Sequence, residues 1–242
     1  MYLVIDIGNT RLKAAIYSGL EIVELFIFEN TDAFKKDFDF LTKNISHAIV
    51  ASVANDVKGF AQFVTAKCEC IVFTNETSVP IRNLYQSAST LGSDRLAAAV
   101  GAHSLFPMDN VLSIDTGTCI KYNFINEQGE YLGGAISAGL QMRLKALHTF
   151  TARLPLVNIE NDFNKLIGKN SKDSILSGAL MGAIAEVKGI IAEYKTLYPN
   201  LKVIVSGGDT DFFAKRLKNS IFARPNLVLE GLHKILEYNV SK

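Results

Sequence analysis

The sequence has no excess of charge of either sign: 25 Lys and Arg stand against 24 Asp and Glu, a net charge of +1 over 242 residues. With no overall field to draw the chain toward nucleic acid or a membrane surface, any binding of anions has to be local. Cysteine is scarce. Cys68, Cys70 and Cys119 lack a second Cys-Cys or Cys-His pair at zinc spacing, and an odd count argues against a secreted disulfide framework, so buried thiols in a reducing compartment are expected. The opening Met1-Tyr2-Leu3-Val4-Ile5-Asp6 has no basic region, and its apolar run meets Asp6 too soon for a signal peptide. No later apolar run approaches the roughly 18 to 20 residues of a membrane-spanning helix. There is no low-complexity linker either; the weakest point of the chain is 107–110. These absences point to a cytoplasmic protein without nucleic-acid or membrane partners. A composition 48% hydrophobic and 20% charged supplies the core of one domain or two small ones.

The stretch Val4-Ile5-Asp6-Ile7-Gly8-Asn9-Thr10-Arg11-Leu12-Lys13-Ala14-Ala15 reads as an apolar strand ending in a carboxylate, a Gly-Asn-Thr corner, and a second strand carrying a lysine. Gly8 accepts backbone angles that other residues pay for, so its amide and those of Asn9 and Thr10 can converge on an anion. Asp6 stands where a hydrated divalent cation would be held, and Lys13 supplies a point charge for phosphate oxygens. An ordinary hairpin turn favours the same Gly and Asn, and this stretch alone does not separate the two readings.

The chain continues with a third strand at 22–28, a helix at 31–43 with Thr31 as its cap, a buried strand at 47–53, an amphipathic helix at 56–66 and a strand at 70–73. Strands alternating with helices imply a mostly parallel sheet. Residues 78–90 are polar, contain Pro80 and read as a surface loop. After Leu91-Gly92-Ser93-Asp94-Arg95, an Ala-rich helix occupies 96–105, with Ser93 or Asp94 as its cap or as something more. The opening pattern then recurs: Ser113-Ile114-Asp115-Thr116-Gly117-Thr118-Cys119-Ile120-Lys121 is again strand, carboxylate, Gly-Thr corner and strand, followed by a turn at 126–129 and a third strand at 131–136. An internal duplication of a three-strand unit would face two Asp-bearing turns across one cleft. Helices at 140–148 and 175–197, the latter capped by 171–174, precede a strand at 202–206. Its Gly207-Gly208 corner lets the backbone lie flat against a ring or a phosphate. A helix at 211–217, a short strand at 221–223 and a closing helix at 227–238 complete the chain.

Taken together these residues resemble the superfamily of actin, sugar kinases and heat-shock chaperone ATPases. Asp6 to Lys13 is similar to its first phosphate motif, Asp115 to Thr118 to the second, and Ser206-Gly207-Gly208 to the adenosine motif. Within it the pattern is most like that of type III pantothenate kinases: Asp-x-Gly-Asn-Thr-x-x-Lys from Asp6, Gly-x-Asp-Arg from Gly92, Asp-x-Gly-Thr from Asp115 and Gly-Gly-x-Ile-x-x-Gly-Leu from Gly133. The resemblance implies an α/β protein with a duplicated ribonuclease H-like (actin-like ATPase) fold, two mixed-sheet halves flanked by helices around a central cleft. The halves would be 1–110, with the first phosphate motif and Gly-x-Asp-Arg, and 111–242, with the second phosphate motif and the adenosine motif.

The resemblance also implies residue roles. Asp6, Ile7, Gly8, Asn9, Thr10, Arg11, Leu12 and Lys13 would hold ATP, with Thr118, Gly207 and Gly208, and Asp6 would bind magnesium, through water if not directly. Asp94 would be the catalytic base for the pantothenate hydroxyl, in a substrate site lined by Tyr85, Gly92, Ser93, Arg95 and Ser171. Asp115 would bind a monovalent cation, potassium or ammonium, and the protein would work as a homodimer. The chain departs from the family pattern at Gln86-Ser87-Ala88-Ser89, where Asn-Pro is common, at Ala138, where proline is common, and at Ser171, where threonine is common. Phosphoryl transfer asks mainly for alignment and charge neutralisation, which these residue types supply. Two alternatives are another small-molecule kinase of the superfamily, acting on a sugar or acid, and a non-catalytic relative, which would be expected to lose Asp6, Lys13 or Asp94. A filament or chaperone ATPase would be longer.

Overall fold

Strand β1 (Tyr2–Ile7) is apolar on both faces because both faces are covered: Leu3 and Ile5 join one core, Val4 the other. A computed structural model, describing residues 1–41, 44–52, 57–217 and 221–242, shows how this strand is used. It pairs antiparallel with β2 (Leu12–Ser18), which pairs with β3 (Glu21–Phe28), and parallel with β4 (His47–Ser52), itself parallel to β5 (Glu69–Val72). Among the described residues the first sheet has the order β3-β2-β1-β4-β5.

Helices α1 (Thr31–Leu41) and α2 (Val57–Thr65) cover one face through Phe34, Phe38, Phe60 and Val64. On the other face lie α3 (Ser93–Leu105) and α8 (Leu227–Val240) with Leu96, Val100, Leu232 and Leu236. Positions 42, 43, 53 and 56, expected at the ends of these elements, lie outside the described residues. The loop expected at 78–90 contains a two-residue strand, β6 (Arg82–Asn83), and a 3₁₀ turn (Ala88–Thr90).

The second sheet is built on β7 (Val111–Thr116), β8 (Cys119–Ile125), β9 (Glu130–Ala138), β10 (Lys202–Ser206) and β11 (Phe222–Ala223), in the order β11-β10-β7-β8-β9-β6. Read from β9, the run β9-β8-β7-β10-β11 repeats β3-β2-β1-β4-β5 of the first sheet, and β7–β10 and β10–β11 are parallel as β1–β4 and β4–β5 are. The duplication read from the two Asp-Gly corners is thus a duplication of topology. Its core joins Leu112, Ile114, Ile120 and Tyr122 to α4 (Leu140–Thr149), α6 (Gly182–Leu197) and α7 (Thr210–Leu217).

The expected helix at 175–197 starts earlier. Helix α5 (Ser171–Leu176) runs through a π turn (Ser177–Met181) into α6, and its cap is Asn170, whose side chain accepts from the Asp173 amide at 2.8 Å, not the 171–174 stretch. The stretch Ser171–Leu197 is the one helix among the described residues long and apolar enough to cross a membrane. Its apolar stripe, from Ile175 through Leu180, Ile184 and Ile191, is spent on the second core. Contacts divide the chain into two compact units: Met1–Met108, Ile125–Gly133 and Asn226–Lys242 form the first, Asp109–Phe124 and Gly134–Pro225 the second. The chain passes to the second unit at Asp109 and then returns twice to the first, the second time through α8, which packs along α3.

Candidate active site

In the first unit the corner between β1 and β2 is Gly8-Asn9-Thr10-Arg11, and it closes on itself: the Gly8 amide donates to the Arg11 carbonyl at 3.0 Å. That corrects the expectation that the Gly8 amide points at an anion; its proton is used inside the turn, which leaves the exposed Asn9 and Thr10 to face solvent. Asp6 and Lys13 are directly opposed in the β1–β2 register, so their half-buried side chains share one face of the sheet. Ile7 and Leu12, opposed next to them, close the hairpin below the turn, with Leu12 in the core.

Helix α3 starts three residues earlier than expected. Its N-cap is Gly92, which has no side chain to cap with, so neither Ser93 nor Asp94 serves as the cap. Ser93 instead donates to the Ser52 carbonyl at 3.3 Å, and Ser52 is the register partner of Ile7, next to Gly8. One hydrogen bond therefore fastens the start of α3 to the C-terminal ends of parallel β1 and β4, where open α/β sheets bind ligands. Asp94, in the first helical turn, is half-buried and its Oδ1 accepts from the Arg95 amide at 2.8 Å.

Arg95 is buried, 6% exposed, with its guanidinium carbon 5.4 Å from the centre of the Tyr85 ring. Tyr85 in turn lies against Tyr131 and Gly133. The hairpin, Tyr85 and the whole of Gly92 to Arg95 thus belong to the first unit, with Ser93 as the bridge. Arg95 offers almost no surface to a ligand from solvent, whereas Ser93 and Asp94 do.

The second unit gathers Asp115, Thr118, Gly207 and Gly208 at the equivalent edge. Gly117 and Thr118 form a two-residue turn closed by the Gly117 amide on the Cys119 carbonyl at 3.1 Å. The Thr118 side chain is exposed, and its carbonyl accepts from Gly139 at 3.2 Å. Asp115 is the register partner of Ser206, so the β10–α7 corner begins beside it. Gly207 has φ +91°, and a Cβ there would lie 2.5 Å from Asp115 Oδ1, so glycine is required on both counts. Nothing lies within 4 Å of a Cβ built on exposed Gly208, so the corner is open there. Thr116 ties the two parallel strands together by donating to the Ser206 carbonyl at 2.7 Å, and the Asp209 amide donates to the Thr116 carbonyl at 3.0 Å. Ser171 is exposed in the first turn of α5, on none of these elements.

Three features escaped the sequence reading. Lys121 Nζ lies 2.8 Å from Asp115 Oδ2, with both side chains largely covered at 21% and 15% exposure. Asp209 follows the Gly-Gly corner; burial, then the charge of Asp115, pushes its carboxyl up to about 6. Glu186 accepts hydrogen bonds from Tyr122 at 3.0 Å, from Ser137 at 3.1 Å and from Arg143, whose Nε also donates to the Ala138 carbonyl at 2.8 Å. Burial alone would raise Glu186, but these three donors hold it below the usual carboxylate range. Only the Gly-Gly-Asp sequence carried a local signal. The Lys121 pair spans a hairpin whose lysine carries no pairing signal of its own, and the Glu186 cluster depends on long side chains from elements far apart in sequence. The thiols expected to be buried are half-covered, with Cys70 raised to about 11 by burial.

A family model described as type III pantothenate kinase matches residues 2–193. A type III pantothenate kinase of Flavobacterium johnsoniae is 42% identical over 243 residues, covering 100% of this chain and 99% of that protein, and one of Bacteroides fragilis is 42% identical over 240 residues, covering 99% and 98%. Among solved structures, a Campylobacter jejuni protein provisionally described as a Baf family transcriptional activator has a TM-score of 0.65 at 20% identity, covering 99% of this chain and 100% of that one. The activator of 2-hydroxyisocaproyl-CoA dehydratase from Clostridium difficile has a TM-score of 0.54 at 12% identity, covering 99% and 96%. These likenesses to solved structures are likenesses of fold, and they agree with the duplicated ribonuclease H-like arrangement.

Proposed function

The chain belongs to the type III pantothenate kinase family, and on that footing we propose that it transfers the terminal phosphoryl group of ATP to the hydroxyl of pantothenate, giving 4′-phosphopantothenate, the first step of coenzyme A biosynthesis. The observation that carries the assignment of roles is the Ser93–Ser52 hydrogen bond, which joins the start of α3 to the strand end beside Gly8. A phosphate corner and a carboxylate at one sheet edge are what an in-line transfer to a hydroxyl requires.

Asp94 is the base: it accepts the hydroxyl proton as the oxygen attacks, and an ionised carboxylate can do so when proton movement is late. Its Oδ1 accepts a hydrogen bond from the Arg95 amide, which limits how the carboxylate can turn. Lys13 and the amides of Asn9 and Thr10 draw in the phosphate oxygens. Asp6 has the hard oxygen donors that magnesium prefers and the position to hold it through water, and magnesium bound there would neutralise phosphate charge. Gly207 and Gly208 offer the nucleoside an open backbone corner, and Thr118 presents an exposed side chain to the nucleotide. Arg95 acts from beneath, holding Tyr85 against the substrate side of α3. Ser171 contacts substrate only as an exposed hydroxyl of α5.

The donor set at Asp115 does not fit an added potassium ion well, because an ammonium group already lies on the carboxylate. The working species is a homodimer in the cytoplasm, where both substrates are found; sedimentation of a fully active monomer would contradict it. The decisive experiment is a coupled ADP-release assay with ATP and magnesium, comparing pantothenate with a panel of sugars. Pantothenate-dependent release alone is the expected result. Release with a sugar and none with pantothenate would move the chain to another kinase of the superfamily.

A further inference from the structure

We propose that the ammonium of Lys121 supplies, from within the chain, the positive charge at Asp115 that an external monovalent cation was expected to bring, so that the kinase works without potassium. The inference rests on the kinase reading above.

Asp115 stands at the end of β7, between the Gly117-Thr118 turn and the Gly207 corner; its own chain engages one of its oxygens and crowds the other. Lys121 Nζ lies on Oδ2 at 2.8 Å. The Gly207 backbone closes over Oδ1, so tightly that a Cβ there would come within 2.5 Å. A bound cation is held by several oxygens that turn lone pairs toward it. A lysine ammonium has three donors and no acceptor, so it adds nothing to such a set and repels the ion. An ammonium group and a potassium ion carry the same charge on a similar radius, so what one neutralises the other can.

The pair is also built to persist. Both side chains are mostly covered, and the two residues sit on strands joined by a two-residue turn, which holds them at short range whatever the solvent does. Under high salt a surface pair would be screened, whereas a covered one keeps most of its attraction. The charge that steadies Asp115 beside the Gly117-Thr118 turn and the Gly207 corner is then permanent and independent of the ionic composition around the protein.

The test starts with the unmodified protein: turnover in choline chloride and in potassium chloride at equal ionic strength should agree within about twofold. Stimulation by potassium of about tenfold or more overturns the proposal. In Lys121→Met, turnover in choline should fall by about tenfold or more and return in potassium or ammonium chloride, as the vacated carboxylate takes an external cation. A folded Lys121→Met that keeps its turnover in choline, or that loses it and is restored by neither ion, equally overturns it. A second readout needs no activity: potassium should raise the melting temperature of Lys121→Met above that in choline, by mass action on the folded state, and leave the unmodified protein unmoved. Were the unmodified protein inactive on pantothenate in every salt, the kinase reading would fall, and the melting comparison would still decide whether Lys121 fills the cation site. If Lys121→Met does not fold, the salt comparison on the unmodified protein decides alone.

Discussion

Replacing one glycine by alanine should destabilise this protein at position 231 and stabilise it at position 189. Both residues lie inside helices, α8 and α6, and neither has a positive φ. In a helix interior alanine is worth about 1 kcal/mol over glycine, so propensity alone favours both changes. Space separates them. A methyl on Gly231 would overlap the Ala97 carbonyl oxygen and come within 2.7 Å of its carbon and 3.0 Å of the Gly101 amide, where ordinary contact begins at 3.4 Å. To admit it, α3 and α8 must part by about 1 Å, and a gap of that size forfeits up to about half of each dispersion contact across the seam.

That seam holds Leu96, Ala97 and Val100 against Leu232, Ile235 and Leu236, which are all at most 2% exposed. The loss therefore belongs near the upper end of overpacking costs, about 3 kcal/mol, leaving a net destabilisation of about 2 kcal/mol once propensity is returned. For a chain of this length that is a fall of about 4 to 8 °C in melting temperature. A methyl on Gly189 meets nothing within 4 Å. Gly189→Ala should gain up to about 1 kcal/mol and about 2 to 4 °C. Calorimetry on the two variants beside the parent is sufficient. A Gly231→Ala protein that melts at or above the parent would refute the close helix approach, and a Gly189→Ala protein that melts below it would refute the open face.

Asp94→Asn should lower turnover by about 10²- to 10⁴-fold while ATP affinity, read by fluorescent-nucleotide displacement, stays unchanged; near-normal turnover would remove Asp94 as the base. His233 is 1% exposed, stacked on Tyr17 at 3.9 Å and 3.8 Å from a Glu237 oxygen; burial, against the pull of Glu237, lowers its pKa below 6.5. Because the folded state binds this proton less readily than the unfolded state, its contribution is complete above 6.5 and is lost as the pH falls below it. His233→Phe, which keeps the stack and removes the proton site, should therefore lose less urea stability between neutral pH and mild acid than the parent does; an equal loss would contradict this. Thr116→Val removes the donor to the Ser206 carbonyl, leaves a buried acceptor unsatisfied and should cost about 1 to 3 kcal/mol in urea unfolding. No change would show that β7 and β10 need no tie at this corner.

Strands were legible where burial on both faces forced continuous apolar runs, as in 2–7 and 111–116, and both Asp-Gly corners were legible because a tight turn restricts residue choice. Helix starts were less so. Ser93 and the 171–174 stretch looked like caps, yet Gly92 and Asn170 occupy those positions, since several small polar residues in a row are chemically equivalent until the backbone chooses among them. The return of α8 to the first unit depends on small residues at 97, 101 and 231, distant in sequence, whose only signature is the absence of a side chain. For the site, each carboxylate was visible from its strand end, but Asp209 and Glu186 gained their partners through strand register and helix packing, which a linear pattern does not contain.

The duplication also bears on how a nearly neutral protein can hold a polyphosphate. With a net charge of +1 there is no long-range attraction to compensate for carboxylates placed beside the turns proposed to bind phosphate. Each half solves the problem with its own two strands. In the first, Asp6 is opposed by Lys13 across the β1–β2 register; in the second, Asp115 is met by Lys121 across the β7–β8 turn. The repeat therefore extends beyond the glycine corner to a carboxylate and an ammonium delivered by the same hairpin. The two couples differ in their commitments. Among the described residues no ion pair holds Lys13, whereas Lys121 lies on Asp115 at 2.8 Å. If Lys13 serves phosphate and Lys121 serves Asp115 as proposed, the duplicated hairpin keeps one lysine for the ligand and turns the other inward, so that the charge at the second corner is permanent while that at the first answers to what binds.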